Sequence, residues 1–172
     1  MSNFSVDAAK TLKYKTWNLM KKIITFGTFD IFHEGHKNFL KQAREFGDYL
    51  IVVVARNKTV GKVKKRLPQN DESARLKNIE ESGLADEVIL GSLGNKYEVI
   101  KKYRPDVICL GYDQEVFTEK LREKLKEFDL SSAKIIRLKA YYPEKYKSSK
   151  LRNVIARSPS EHSSRESDAA IS

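Results

Sequence analysis

Apolar residues fall along this chain in two alternating rhythms. Five short runs are nearly continuous and β-branched: residues 22–28 (KIITFGT), 49–55 (YLIVVVA), 87–90 (EVIL), 106–110 (DVICL) and 133–138 (AKIIRL). Strands buried on both faces of a parallel sheet require this pattern. The stretches between them carry helical spacing. Phe39, Leu40, Ala43 and Phe46 share one helix face, and Leu76, Ile79 and Gly83 line another that starts after Asp71. Further helices are predicted over 96–103, 116–128 and 148–155. Strand–helix alternation implies βαβ crossovers and one Rossmann-like, doubly wound α/β sheet of five parallel strands, for which the order 3-2-1-4-5 is expected. Ligands of such sheets bind beyond the carboxyl ends of the strands, where strand order reverses. The loops after the strands are therefore where chemistry is expected.

The two ends differ from this middle. Residues 1–21 read as a basic extension with a short, ragged helical stripe (Ala8, Ala9, Leu12, Leu19, Met20) capped by Ser5, and Trp17 as its anchor on the domain. Residues 22–157 form the domain itself. Residues 158–172 (SPSEHSSRESDAAIS) are too small and polar to bury much apolar area and read as a disordered tail. The chain has 172 residues, 40% hydrophobic, which suits one domain with a real core. It holds no apolar run of about 18 residues and no secretory leader pattern, and its single cysteine, Cys109, has no partner for a disulfide or a metal cluster. A cytoplasmic protein without a membrane partner is expected. Thirty-three basic residues against 23 acidic ones give a formal charge of +10, so the partner is an anion.

After the first strand comes Gly27-Thr-Phe-Asp-Ile-Phe-His-Glu-Gly-His36, which leads straight into a helix. Two of the three histidines, His33 and His36, sit here three residues apart. Unpaired N–H groups at a helix start attract an anion, and two imidazoles beside them can hydrogen-bond phosphate oxygens whose charge grows during reaction. Local packing or capping is the plainer reading of either histidine alone. A zinc site lacks further ligands. After the second strand, Arg56, Lys58, Lys62, Lys64, Lys65 and Arg66 run without an intervening acid. The stretch is either a solvated loop or one that closes over phosphate. Arg75 follows on the next helix, where Glu72 offers it a surface ion pair. Gly111-Tyr-Asp-Gln114 follows the fourth strand: Tyr112 can stack on a planar ring, and Asp113 can accept from ribose or base or hold magnesium. Lys147, Ser148 and Ser149 open the last helix and can share its N–H groups with phosphate.

The string Gly27–His36 resembles the GxFDxxHxGH signature of the cytidylyltransferase-like nucleotidyltransferases, and the resemblance extends over about residues 22–157. It implies transfer of a nucleoside monophosphate from a triphosphate to a phosphorylated acceptor, with release of pyrophosphate and with Mg²⁺ or another divalent cation. Under it, His33 and His36 are catalytic, and Thr28, Phe29 and Asp30 bind nucleotide. One of Lys62, Lys64 and Lys65 reaches the phosphates, and Arg75 matches the family's arginine at its place. Lys147 stands where the family usually has an arginine before its Ser/Thr-rich helix start. Residues 55–60 (ARNKTV) and Gly111–Gln114 look most like archaeal-type FAD synthetases, which adenylylate FMN with ATP. The alternative is a CTP-dependent enzyme acting on glycerol 3-phosphate or a similar small ester. Tyr112, Phe117, Tyr141, Tyr142 and Tyr146 are either a shelf for isoalloxazine or ordinary packing. A homodimer fits the resemblance. A non-catalytic nucleic-acid-binding protein is the remote third reading, as the chain has a lysine-rich amino end but no helix-turn-helix, RNA-binding aromatic signature or zinc finger.

Overall fold

The computed structural model describes residues 4–115 and 118–157. Five parallel strands, β1 (Lys22–Gly27), β2 (Tyr49–Val54), β3 (Glu87–Leu90), β4 (Val107–Leu110) and β5 (Lys134–Arg137), pair in the order β3-β2-β1-β4-β5. Both the topology and the five strands match the apolar runs to within a residue or two. Successive side chains of each strand serve opposite layers, as a pleated backbone dictates. Ile23, Leu50, Val52, Val54, Val107 and Cys109 pack under α2 (Glu34–Arg44) and α4 (Glu72–Ser82). Ile24, Ile51, Val53, Ile108 and Leu110 pack under α5 (Glu98–Tyr103) and α6 (Leu121–Glu127). The Cys109 thiol, fully inside the first layer, has its pKa pushed up to about 12 by burial and is inert.

Three elements differ from expectation. The amino-terminal stripe is a full helix, α1 (Phe4–Leu19), in which Ser5 is a helical residue and not its cap. Leu12, Tyr14 and Leu19 of α1 remain exposed, while Trp17 meets the ring of Tyr49 edge-on at 4.7 Å and that of Tyr103 at 6.4 Å. The lysine-rich stretch after β2 is α3 (Asn57–Lys64), with only residues 65–71 left as a loop. The helix predicted over 116–128 begins at Leu121, because Thr118–Lys120 form a turn. Phe117 and the tail from 158 lie outside the described residues. The last helix, α7 (Ser148–Arg157), forms as the spacing predicts. Among the described residues no helix is long and apolar enough to cross a membrane.

At the amino end of the sheet, aspartates stand beside the cations Lys21, Lys22, Arg104 and Lys134. Asp48, Asp86 and Asp106 each directly precede a strand and accept the N–H of Lys21, Leu50 and Lys22 respectively, at 2.7–2.9 Å. These carboxylates satisfy the amino end of the sheet.

Candidate active site

A cavity of about 610 Å³ opens across the carboxyl ends of the strands. Arg56, Lys64, Arg66, Lys96, Lys139, Lys147 and Arg152 line it against Asp30, Asp113 and Glu115 only. His33 and His36 also form part of its wall. Their rings stack 3.9 Å apart with an 18° interplanar angle. His33 is the N-cap of α2. Its extended backbone (φ −135°, ψ 173°) lets Nδ1 accept the His36 N–H at 3.4 Å, and its carbonyl accepts the same N–H at 2.9 Å. With Nδ1 acting as acceptor, the neutral ring carries its proton on Nε2. The N–H groups of Glu34 and Gly35 take no hydrogen bond among the described residues, so the first turn keeps donors for an anion.

Both imidazoles are neutral at pH 7. Burial lowers the His33 pKa, partly opposed by Glu34. Burial, reinforced by the charge of His33, brings His36 down to about 3. A hydrogen bond with the Ile31 backbone partly opposes that fall, and the Nδ1 atom itself is shielded from solvent. The Lys64 pKa is also lowered, by burial first and then by the neighbouring charge of Arg66. A bound polyanion relieves that crowding.

The approach to α2 is strained. Phe29 is buried with φ 50°, a left-handed backbone that an aromatic residue adopts only when its surroundings impose it. Two neighbours impose it. Phe29 turns its ring back over Gly27, where a Cβ would lie 2.6 Å from the ring, so the glycine makes room for Phe29. Arg75 holds the preceding carbonyl: its Nη1 donates to Thr28 O at 2.6 Å. A trans peptide is planar with its C=O and N–H antiparallel, so a Thr28 carbonyl turned to Arg75 turns the Phe29 N–H away from it. Thr28 and Phe29 both line the cavity, and no hydrogen bond among the described residues uses that N–H.

Arg75 itself is fully buried. Besides Thr28 O, its guanidinium donates to Asn70 O (3.1 Å), Ala55 O (2.8 Å) and Asn57 Oδ1 (2.7 Å). It thus ties the ends of β1 and β2 to the start of α3 and the loop before α4. The anticipated surface pair with Glu72 does not form. Glu72 binds Arg56 Nη1 at 2.9 Å and the Asn57 N–H at 2.8 Å instead.

Asp30 is likewise internal. Its Oδ1 accepts the Asn70 N–H at 2.9 Å, and its carboxylate forms an ion pair with Arg152 of α7. Sequence reasoning passed over Arg152 and Asn70. Arg152 is one of three basic residues in α7, with Lys150 and Arg157, and only its contact with a buried carboxylate marks it. Of the three lysine candidates, Lys64 lines the cavity, whereas Lys62 and Lys65 are exposed outside it. Tyr112 and Asp113 line it too. Arg137, also missed, holds their loop by donating to Gly111 O at 2.8 Å and Gln114 O at 3.1 Å. Lys147 stands 3.6 Å from Asp113, and its carbonyl accepts the N–H groups of Lys150 and Leu151. Ser148 opens α7 and Ser149 joins the cavity wall. Gly35 lets the final loop close in: a Cβ there would meet the His33 ring at 2.9 Å and the Cβ of Tyr146 at 3.0 Å.

The Cytidylyltransferase-like family model matches residues 24–154. A FAD synthase from Ferroglobus placidus is 44% identical over 121 residues, covering 70% of this chain and 78% of that protein. One from Thermococcus sibiricus is 40% identical over 132 residues, covering 76% and 88%. Among solved structures, the lipopolysaccharide core biosynthesis protein of Thermoplasma volcanium is 37% identical with a TM-score of 0.65, and the alignment covers 71% of this chain and 98% of that one.

Proposed function

From the premise that this chain belongs to the cytidylyltransferase-like family, we propose that it transfers the adenylyl group of ATP to the phosphate of FMN, yielding FAD and pyrophosphate. The FAD synthases of Ferroglobus placidus and Thermococcus sibiricus favour this reaction over cytidylyl transfer to glycerol 3-phosphate. The observation that carries the chemistry is the stacked, neutral His33–His36 pair at the start of α2 in a cation-lined cavity.

No protein nucleophile is needed. A phosphate monoester, whose second pKa is about 6, is largely a dianion at pH 7, and its oxygen attacks the α-phosphorus directly. The new P–O bond forms as the bond to the bridging α–β oxygen breaks, and that oxygen leaves on pyrophosphate. The protein's part is alignment and charge neutralisation. His33 and His36 donate hydrogen bonds as neutral rings. The Phe29, Glu34 and Gly35 N–H groups supply fixed donors, and Lys64, Arg66 and Lys147 supply positive charge. Arg75 and Asp30 hold these groups in place from behind.

Among the described residues no three His, Cys, Asp or Glu side chains converge on a metal position. The donor set therefore fits a divalent ion that arrives on the triphosphate, with Asp113 able to add a carboxylate oxygen. Such an ion neutralises phosphate charge when bound. A cytoplasmic enzyme drawing on ATP and FMN is the setting this reading implies.

The test is pyrophosphate release. ATP with FMN gives FAD and pyrophosphate, whereas CTP with glycerol 3-phosphate gives none. His33→Ala and His36→Ala each lower kcat by about 100-fold or more, the scale for losing one preorganised donor to developing negative charge. Turnover of CTP with glycerol 3-phosphate, but not of ATP with FMN, defeats the proposal.

A further inference from the structure

Both substrates of the proposed reaction carry a planar ring and a phosphate, and their phosphates must meet at His33 and His36. Strand order puts that pair in the middle of the cavity. β2 and β3, with α3, flank it on one side, and the loops after β4 and β5 on the other. The two rings must therefore occupy opposite wings.

The wings differ in chemistry. The β4–β5 wing presents Tyr112, Asp113, Gln114, Lys139, Tyr141 and Tyr146. Phenol rings there can stack on a purine, and the amide and backbone groups can meet its polar edge. The α3 wing presents Val63, Leu67 and Pro68 over the buried Val60, beside the cations Arg56, Lys64 and Arg66. Val63 and Leu67 are 47% and 69% exposed, large aliphatic side chains on a cavity wall with open space before them. Leu67 comes from the loop past Lys65, whose left-handed backbone (φ 52°) turns the chain back. Its Cδ2 lies 3.4 Å from where a Cβ on Gly61 would stand, so Leu67 rests on α3 as a continuous apolar surface. Adenine has no aliphatic edge to offer such a wall. Isoalloxazine has one, the dimethylbenzene end, and its opposite, hydrogen-bonding end would look towards Ser92 and Lys96 on the β3 side.

We infer that Val63 and Leu67, with Val60 and Pro68, form the seat for the dimethylbenzene ring of FMN, which leaves adenine to the β4–β5 wing. This rests on the proposed FMN adenylylation and assigns its acceptor site. It also moves the flavin away from the tyrosines that sequence alone offered as its shelf. Because both residues are exposed, replacing them leaves the core untouched.

The experiment compares wild type, Val63→Asp, Leu67→Asp, Leu67→Ala and Tyr112→Ala, measuring FAD formation and quenching of FMN fluorescence. The aspartate variants raise the KM and Kd for FMN tenfold or more, with the KM for ATP moving less than twofold. Wild type prefers FMN over 7,8-didemethyl-FMN by about tenfold, the scale for burying two methyl groups, and Leu67→Ala loses much of that preference. Tyr112→Ala raises the KM for ATP instead. Wild type that makes FAD while the α3 variants keep the wild-type KM for FMN overturns the seat alone. The same holds if Tyr112→Ala weakens FMN and the α3 variants do not. Wild type that makes no FAD from ATP and FMN overturns the seat together with the function beneath it.

Discussion

Arg75 is the residue whose removal best separates architecture from chemistry. Arg75→Met deletes four hydrogen bonds from a buried cation. Bonds to charged donors contribute about 1.5–3 kcal/mol each, a gross loss near the stability of a whole domain. Against it stands the several kcal/mol that burying the guanidinium itself costs. The net loss is then about 3–5 kcal/mol, and Tm falls by about 10–15 °C at the 2–4 °C per kcal/mol usual for a chain this size. Arg75→Lys keeps the charge but not the fork, so an ammonium can satisfy only some of the Thr28, Ala55, Asn70 and Asn57 acceptors. It loses roughly half as much stability and stays folded at assay temperature. With the Thr28 carbonyl freed, the Phe29 N–H loses its aim, and kcat drops about 100-fold, the scale for one lost donor to a developing anion. Thermal melts and steady-state kinetics on the same preparations decide the matter. An Arg75→Lys protein with lowered Tm but wild-type kcat/KM refutes the positioning role. A KM for ATP raised in proportion to the lost kcat/KM, with Tm unchanged, makes Arg75 a direct ligand instead.

Three further outcomes follow from the same geometry. The folded His36 pKa of about 3 lies below the ordinary histidine value of 6.5, so protonation favours the unfolded chain. Stability is complete above pH 6.5 and falls as pH drops toward 3. The loss is about 2 kcal/mol at pH 5, which His36→Asn removes from a plot of Tm against pH; identical slopes for the two proteins would contradict the burial. Asp30→Asn leaves the half-buried Arg152 beside a neutral partner and destabilises by about 2 kcal/mol in denaturant titration, while Arg152→Met with Asp30→Asn recovers part of that loss. No recovery in the double variant means the two residues are not coupled. Lys64→Ala raises the KM for ATP or lowers kcat tenfold or more, whereas Lys62→Ala changes either by less than twofold; equal effects would show that charge density alone matters.

The sheet was legible because burial on both faces forces β-branched runs, and the shortness and polar or glycine-containing flanks of residues 22–28 and 49–55 favour strands over buried helix. The His33–His36 pair was legible for the same reason: a strand, a tight turn and a helix start define where an anion can sit. Arg75, Asp30 and Arg152 were not legible as structural groups. Their contacts are with carbonyls and a partner as distant as 122 positions, and no local pattern records them. The lysine-rich stretch misled for a different reason. Residues 57–64 have no acid and one glycine, which reads as loop, yet Val60 is buried and the Asn57 N–H finds Glu72, so tertiary contacts fold them into α3.

That refolding changes what the cations can do. On a flexible loop Lys62, Lys64 and Lys65 would share the phosphates by turns. On α3, Lys62 and Lys64 lie two residues apart, about 200° around the helix axis, and only one can face the strand ends. Lys64 takes that place, close enough for its charge to act on both His36 and Asp113, while Lys62 faces away. The same helix turns Val60 inward and sets Val63 on the cavity wall beside Lys64. One short helix thus carries a cavity-lining cation and an apolar surface in adjacent positions, which is the adjacency that the proposed joining of a flavin phosphate to a triphosphate calls for.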